Sequence, residues 1–311
     1  MTYKKPVQKF SGKIKEITLG ENLKLGGESV LPFYSFDGDT GNKPAIGLEI
    51  WDVYPEDWPT TIMEELGDKA KKPAEWAKFC EEKYKPDFIC LRFVGANQDM
   101  GDRTPEECAQ IAKEVAEAVK LPLVIAGCDS NEKNGKIFTK VAEALADKNY
   151  AFLSAVEANY KEVGAAVGLA YGNIVVAESS VDLNLAKQLN ILLTQLGVKW
   201  EKMLMNPGTS AVGYGFEYVI TTMDRIRLAA LDQNDTTLQL PMVMPISFDT
   251  WKVKESVATE QDAPEWGDRE ERGIAMEIST AVGVLAAGAN AVVLRHPRSL
   301  EVVREFINNL I

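Results

Sequence analysis

The sequence contains few of the residues that carry metal and nucleophilic chemistry. Among its 311 residues there is one histidine, His296, and no Cys-x-x-Cys pair. Neither a metal cluster held by this chain alone nor a nucleophilic triad is therefore expected, and we predict no catalytic and no metal-ligating residue. The four cysteines are expected to be buried free thiols of a reducing compartment: Cys80, Cys90, Cys108 and Cys128.

Other absences exclude whole classes of partner. No dense Lys/Arg stretch occurs and the net charge is −12, so direct binding of nucleic acid or of an anionic membrane is not expected. No apolar run approaches the roughly 20 residues of a membrane span. The N-terminal residues 1–6 lack the apolar core of a signal peptide. These features predict a soluble cytoplasmic protein.

What the chain does have is a regular alternation of apolar and amphipathic runs. Eight β-rich runs alternate with eight helical runs from about Ala45 to the C-terminus, and several are apolar throughout, as in buried parallel strands. This pattern predicts the α/β class and a closed (β/α)8 TIM barrel over residues 44–311. The predicted strands are Ala45–Trp51, Asp87–Val94, Leu121–Cys128, Ala151–Val156, Asn173–Ala177, Met203–Met205, Met242–Ile246 and Ala291–Leu294.

Residues 1–43 do not follow this alternation. Lys13–Leu19 and Glu28–Phe36 are typical of short strands, with glycine-containing joints between them. We predict an N-terminal hairpin extension that covers the bottom of the barrel. Among the predicted barrel helices are Asn134–Asp147, Phe216–Leu231 and Ser299–Leu310.

In a barrel of this type, ligands bind at the carboxyl ends of the strands. The polar residues there form a ring of acids and amides. The pair Asp129 and Glu157 could carry acid–base work, although acids at strand ends often only cap the next helix. A lone histidine at such a position is more often structural than functional. The residues of this ring are Asp52, Asn97, Asp99, Asp129, Glu157, Asn159, Glu178, Asn206, Ser247, Arg295 and His296.

Two long connections follow strands and so lie on the same face. Asn206–Gly215 is rich in glycine, which lets the backbone approach a flat ligand or a partner closely. Ser247–Gly267 contains Trp251 and Trp266, which favours an ordered cover or a docking surface over simple disorder.

These loops also carry a resemblance. The stretch Gly-Tyr-Gly-Phe-Glu-Tyr at 213–218, followed by Met-Asp-Arg-Ile-Arg-Leu at 223–228, resembles the small subunit of the corrinoid/iron–sulfur protein. The archaeal equivalent is the delta subunit of the acetyl-CoA decarbonylase/synthase complex. Supporting stretches lie at 45–49, 188–192 and 295–297, so the resemblance spans nearly the whole chain.

The resemblance implies a TIM barrel that forms a heterodimer with a large subunit. That partner carries the iron–sulfur cluster and a cobalamin-binding domain, and the corrinoid lies between this domain and the mouth of the barrel. The heterodimer would receive methyl groups from methyltetrahydrofolate through a separate methyltransferase. It would then deliver them to acetyl-CoA synthase in the acetyl-CoA pathway. This chain would then act as a subunit of a methyl-transfer protein without catalytic residues of its own.

From the resemblance and the strand-end positions we expect a set of residues to approach the corrin or its amide side chains. They are Asn97, Asp129, Asn206, Pro207, Gly208, Thr209, Gly213, Tyr214, Gly215, Arg295 and His296.

Two alternatives remain open. The chain could itself be a methyltransferase barrel that binds the pterin of methyltetrahydrofolate, with Asp129, Asn159 and Asn206 hydrogen-bonded to the ring. It could also be a purely structural subunit that shields cobalt from solvent without specific ligand contacts. A barrel hydrolase or aldolase ranks last, because no lysine lies at a strand end to form a Schiff base and no ligand set for a catalytic metal is apparent.

Overall fold

The computed structural model describes residues 6–311, and its main body is a barrel of eight parallel strands. The strand order is β8-β7-β6-β5-β4-β3-β10-β9, and a parallel bridge between Met205 and Met242 joins its two ends. The prediction of a (β/α)8 barrel is therefore confirmed. The barrel strands are β3 (Ala45–Trp51), β4 (Phe88–Arg92), β5 (Leu123–Ala126), β6 (Ala151–Ala155), β7 (Ile174–Glu178), β8 (Met203–Asn206), β9 (Val243–Met244) and β10 (Ala291–Leu294).

Helices connect consecutive strands. Helix α1 continues as a 3₁₀-helix over Gly67–Lys71, and α5 continues as a π-helix over Gly164–Ala170. The helices are α1 (Thr60–Leu66), α2 (Pro73–Lys83), α3 (Pro105–Ala118), α4 (Asn131–Ala144), α5 (Tyr160–Val163), α6 (Leu183–Leu196), α7 (Phe216–Leu231), α8 (Ser247–Thr250), α9 (Lys254–Val257), α10 (Arg269–Ala286) and α11 (Pro297–Leu310). Among residues 6–311, none of these helices is both long and apolar enough to cross a membrane.

The apolar core lies inside the barrel and between the barrel and the helices. Every residue of β4 and β5 is buried, as apolar runs predict, and this includes Arg92 at the end of β4. In the outer layer, Phe138 of α4 meets Phe152 of β6 edge-on, with ring centroids 5.6 Å apart. Burying one such large apolar side chain contributes roughly 1.5–3 kcal/mol to folding.

The N-terminal hairpin exists, but its second strand was predicted in the wrong place. Strand β1 (Glu16–Leu19) pairs antiparallel with β2 (Leu23–Gly26), whereas Glu28–Phe36 forms turns. Gly26 and Gly27 have φ values of +82° and +91°, so the chain leaves the extended conformation there. Glu28 then turns inward and accepts a hydrogen bond of 3.0 Å from Asn290 Nδ2.

The N-terminal segment and its hairpin contact residues that precede the barrel strands. Gly20 N donates to Asn149 O at 2.8 Å, and Lys15 N donates to Gln239 O at 3.0 Å. Asn149 stands just before β6. These bonds attach the hairpin to the face opposite the strand carboxyl ends.

Two helices begin earlier than predicted, each because of a capping side chain. Helix α4 begins at Asn131 rather than Asn134, since the Ser130 hydroxyl accepts from Lys133 N at 3.3 Å. Helix α11 begins at Pro297 rather than Ser299, since His296 Nδ1 accepts from Arg298 N at 3.1 Å.

The seventh barrel strand is shorter than predicted. The run Met242–Ile246 contributes only the two residues of β9. Pro241 and Pro245 flank this strand, and neither can donate a backbone hydrogen bond to a ladder.

Both long loops after strands have internal order. Ser247–Gly267 contains α8, α9 and a turn of 3₁₀-helix at Pro264–Trp266. Two arginines of α10 hold it: Arg269 Nε donates to Ser256 O at 3.2 Å, and Arg272 Nε donates to Glu255 O at 2.8 Å. The loop is therefore a folded cover over one side of the barrel mouth.

Candidate functional site

A polar cavity of about 330 Å³ opens at the carboxyl ends of β4 to β8. We call it the mouth cavity. Three of its side chains are the last residues of their strands, which is where this fold places functional groups. Its principal polar side chains are Arg92, Asp129, Ser154, Glu178, Asn206 and Lys252.

Beneath the cavity, one buried carboxylate lies between two buried guanidinium groups. Glu49 of β3 accepts from Arg295 Nε at 3.2 Å and from Arg92 Nη1 at 3.3 Å. Trp51 Nε1 also donates to it, at 2.7 Å. Burial alone would raise the pKa of Glu49, but the two arginines and Trp51 outweigh it, so the pKa lies below its usual value. Glu49 is therefore held as a carboxylate that orients both arginines.

Arg92 connects this carboxylate to the mouth cavity. It is only 8% exposed, and its guanidinium stacks on the Phe248 ring, 4.1 Å from the centroid. Its Nη2 lies 3.7 Å from Asp129 Oδ1, too far for a hydrogen bond. The guanidinium is thus fixed in place at the cavity wall.

On the opposite wall, Glu178 is a carboxyl group with a raised pKa. Burial is the main cause, and nearby Asp249 adds to it, while hydrogen bonds from Ser154 and Asn206 act in the other direction. A raised pKa increases the fraction of the protonated acid, which can donate as well as accept. Asn206 Oδ1 is occupied by Gly208 N at 2.9 Å. The cavity thus presents cationic, acidic and amide groups to one ligand-sized space.

A second cavity, of about 270 Å³, lies beside the mouth under the Ser247–Gly267 cover. Trp58, Trp251 and Arg295 line it. Arg295 lies over the Trp58 ring at 4.5 Å and over the Trp51 ring at 5.3 Å. Its charge is therefore stabilised by aromatic faces as well as by Glu49.

His296 has structural partners on both ring nitrogens. Nδ1 caps α11, and Nε2 lies 3.1 Å from Glu270 Oε1 of α10. Burial lowers the pKa of His296, although Glu270 partly opposes this. The neighbouring turn is held by Glu277, which accepts from Arg295 N at 2.7 Å and from His296 N at 3.1 Å. This geometry matches the structural interpretation of the single histidine.

The structure brings four of the expected cofactor-binding residues together at the mouth cavity: Asp129, Asn206, Gly208 and Thr209. Asn97 lies next to them, since its Oδ1 accepts from Asp129 N at 2.9 Å and its Nδ2 donates to Asp129 Oδ2 at 3.3 Å.

The other expected residues lie elsewhere. Gly213, Tyr214 and Gly215 line a separate groove of about 330 Å³ between their loop and α10, and Tyr214 is 81% exposed. Pro207 is buried, and its carbonyl accepts from Val181 N at 2.6 Å. Arg295 belongs to the second cavity, and His296 faces an outer groove near α1.

Sequence reasoning did not select Arg92, Lys252 or Glu178 as binding residues. Glu178 was noted only as a polar strand end, and Arg92 was placed inside a longer apolar strand. An arginine at the end of an otherwise apolar strand is the signal that could have identified it. Lys252 carries no such signal, because its place at the cavity depends on how the cover folds.

The remaining residues that the sequence singled out differ in their surroundings. Asn159, expected to hold a pterin, is used locally: its Oδ1 accepts from Val156 N at 2.8 Å and its Nδ2 donates to Asn131 O at 3.1 Å. Cys128 lines the mouth cavity with its neighbour Asp129, whereas Cys80, Cys90 and Cys108 lie in the core. Within residues 6–311, no group of three or more His, Cys, Asp or Glu side chains is arranged to hold a metal ion.

Comparison with known proteins agrees with this architecture. The family model of the CO dehydrogenase/acetyl-CoA synthase delta subunit matches residues 16–304. The chain belongs to this family. The match covers the hairpin and all eight barrel strands.

Curated relatives are named as delta subunits of the acetyl-CoA decarbonylase/synthase complex. The acetyl-CoA decarbonylase/synthase complex subunit delta of Archaeoglobus fulgidus is 30% identical over 97% of this chain and 70% of its own length. The corresponding subunit of Methanothermobacter thermautotrophicus is 30% identical over 96% of this chain and 76% of its own length.

Solved structures with the same fold include dihydropteroate synthases. The Yersinia pestis enzyme, solved with a pterine–sulfa conjugate, has a TM-score of 0.56 at 11% identity, covering 95% of this chain and 98% of that one. The Xanthomonas albilineans enzyme with 7,8-dihydropteroate has a TM-score of 0.54 at 11% identity, covering 86% of this chain and 93% of that one. At this identity the likeness shows the fold alone.

Proposed function

We propose that this protein is the corrinoid-covering subunit of a methyl carrier in the acetyl-CoA decarbonylase/synthase system. It would form a heterodimer with a large subunit that carries an iron–sulfur cluster and a cobalamin-binding domain. A separate methyltransferase would supply methyl groups from methyltetrahydrofolate, and acetyl-CoA synthase would receive them. The observation that carries the proposal is the family match over residues 16–304, together with relatives that are named as subunits of that complex.

The residues at the barrel mouth fit a large amide-bearing cofactor. The mouth cavity offers the guanidinium of Arg92 and the carboxylate of Asp129, which suit carboxamide oxygens and N–H groups respectively. Beside it, Tyr214 and Tyr218 are 81% and 64% exposed, so their rings are free to cover a macrocycle or a partner.

In this role the chain binds and shields, while the chemistry belongs to the corrinoid. When bound, the corrinoid supplies a cobalt centre that accepts and donates the methyl group. Arg92, Asp129 and Asn206 would hold its side chains, and the cover formed by Ser247–Gly267 would limit the access of water.

The test is to express this chain with and without a corrinoid/iron–sulfur large subunit and to record the visible absorption of the purified material. Corrinoid absorption bands should appear only in a one-to-one complex. A stable, colourless chain that does not associate with the large subunit would contradict the proposal.

A second candidate function, direct binding of a pterin for methyl transfer, is favoured by one observation. The mouth cavity is about 330 Å³, at the lower end of the usual range for small-molecule sites, and is lined by the acids and amides that pterin rings require. Asp129 and Asn206 would be its ligands as expected, and Glu178 would take the place of Asn159. Titration of the isolated chain with methyltetrahydrofolate should then show saturable binding that Glu178→Leu abolishes. An absence of saturable binding at millimolar ligand would exclude this function.

A further inference from the structure

A cavity of about 670 Å³ lies at the face of the barrel opposite the mouth. Its wall includes Met203, the first residue of β8, and Leu240, which precedes β9, so it opens at the amino ends of these strands. We call it the bottom cavity. This face of a (β/α)8 barrel usually contributes to stability rather than to function, but the volume is in the usual range for small-molecule sites.

The bottom cavity combines an apolar floor with one flat aromatic wall. The floor is formed by Ile191, Val198, Met203 and Leu240. The wall is Trp200, which lies in the connection between α6 and β8 and is 41% exposed. An indole face of this kind is a surface on which a heteroaromatic ring can stack.

One buried side chain in the cavity lining has an unused hydrogen-bond acceptor. Asn190 of α6 is 2% exposed, and its Nδ2 donates to Thr237 O at 2.9 Å, which fixes the orientation of the amide. Its Oδ1 is buried without a hydrogen-bond partner among residues 6–311. A buried acceptor without a partner is costly, so an N–H group of a ligand would complete it. Asn190 belongs to the stretch at 188–192, to which the proposed function gives no role.

A half-buried lysine in the same lining has unused donors. Lys15 Nζ lies 5.2 Å from the centroid of the Trp200 ring. Within residues 6–311, its hydrogen bond to Thr236 O at 3.2 Å is the only one that it makes, although an ammonium group has three N–H donors. Burial lowers the pKa of Lys15, and nearby Glu201 partly opposes this effect. An anionic group in the cavity would therefore stabilise the charged ammonium.

The free acceptor and the free donors are close together and preorganised. Lys15 and Asn190 donate to the carbonyl oxygens of consecutive residues, Thr236 and Thr237. Asp235 holds this loop, since its Oδ1 accepts from Thr237 N at 3.1 Å and from Thr237 Oγ1 at 2.6 Å. A ligand that uses both groups would therefore lose little binding free energy to ordering them.

The charge of the lining favours an anion. Two lysines and one glutamate line the bottom cavity, Lys15, Lys199 and Glu201, which is an excess of positive charge in a chain whose net charge is −12. A fitting ligand thus combines a flat ring, an N–H donor and an anionic group. This combination is the chemistry of a nucleotide.

We propose that the bottom cavity binds a purine nucleotide whose base carries an amino group. The base stacks on Trp200, its amino N–H donates to Asn190 Oδ1, and the phosphate accepts from Lys15. The inference goes beyond the proposed function and does not depend on it, because these residues lie at the face away from the mouth cavity.

The experiment titrates the full chain by calorimetry with three ligands that differ by one group each. The first is AMP. The second is purine riboside 5′-monophosphate, which lacks the amino group, and the third is adenosine, which lacks the phosphate. Each of the last two should bind roughly three- to tenfold more weakly than AMP, because one hydrogen-bonding group is lost in each case.

Three variants then test the named residues with AMP. Trp200→Ala should weaken binding by roughly fivefold to 150-fold, since it removes the stacking face. Lys15→Met keeps the alkyl chain but loses the donors, and a roughly three- to tenfold loss is expected. The matched control is Lys24→Met, an exposed lysine of β2 that is paired with Glu16 outside the cavity, for which binding should not change.

Melting curves by circular dichroism show whether each variant is folded, and Lys15→Met decides the matter if Trp200→Ala does not fold. No saturable binding of AMP at millimolar concentration overturns the proposal. Equal affinity for the three ligands, or an equal loss in Lys15→Met and Lys24→Met, also overturns it, because the base and the cavity lysine would then play no specific part.

Discussion

Replacement of Glu49 by glutamine should destabilise the protein strongly. The variant keeps the size of the side chain but removes the only negative charge that contacts both Arg92 and Arg295 among the described residues. Both guanidinium groups are more than nine-tenths buried, so water cannot replace the lost carboxylate. Removing one member of a buried ion pair costs about 3–5 kcal/mol.

This free energy can be converted into a shift of melting temperature. Unfolding entropy is about 2.1 cal/mol/K per residue, or roughly 650 cal/mol/K for a chain of this length. A loss of 3–5 kcal/mol therefore lowers Tm by about 5–8 °C. The matched control is Glu16→Gln in β1, an exposed carboxylate paired with Lys24, for which we expect no resolvable change.

The effect should also depend on pH in a defined direction. The folded pKa of Glu49 is lowered, so its stabilisation is present above the unfolded pKa of about 4.3 and is lost as the pH falls through the folded pKa. The difference in Tm between wild type and Glu49→Gln should be largest near pH 7 and should shrink below about pH 4. Scanning calorimetry at several pH values measures both quantities. Equal melting temperatures at pH 7 would refute the view that this carboxylate holds the two arginines.

Three further outcomes follow from the same structure. Because burial lowers the pKa of His296, the contribution of this residue to stability is lost as the pH falls below about 6.5. The variant His296→Asn keeps a capping acceptor that does not titrate. Its Tm should therefore fall less between pH 7.5 and pH 5 than the Tm of the wild type. Gly26 has φ +82° and an added Cβ would lie 2.2 Å from Lys15 O, so Gly26→Ala should lose about 1–3 kcal/mol in urea unfolding, and unchanged stability would contradict this backbone geometry. Burial raises the pKa of Cys80 and of Cys108 to about 12, so a chromogenic disulfide reagent at pH 8 should modify these thiols only after denaturation, and rapid modification of the native protein would contradict their burial.

The barrel could be predicted because its signals are local. Ala45–Trp51 and Ala291–Leu294 were assigned with their observed bounds, since an apolar run between polar turns needs no knowledge of distant partners. The second strand of the hairpin was predicted in the wrong place for the opposite reason. This strand, Leu23–Gly26, has only four residues, and the inward turn of Glu28 depends on Asn290, 262 residues away in sequence.

The candidate site was also predictable only where the signal is local in sequence. The rule that functional residues lie at strand ends selected Asp129 and Asn206, and both residues line the mouth cavity. It also included Arg295 and His296, whose side chains are engaged by Glu49 and Glu270. Arg92 ends an otherwise apolar strand, but its fixed place at the cavity wall depends on its stacking on Phe248, and no spacing in the sequence records which residues will stack across a barrel.

The joint between β8 and β9 has a mechanical consequence. Every other pair of neighbouring barrel strands is linked by a ladder of at least two residue pairs, but this joint has the single bridge between Met205 and Met242. Both long mouth loops emerge from these two strands, one on each side of the joint. The shortest ladder of the barrel therefore lies directly under the surface on which a cofactor or partner would dock, so strand separation there breaks fewer ladder pairs than at any other joint of the barrel.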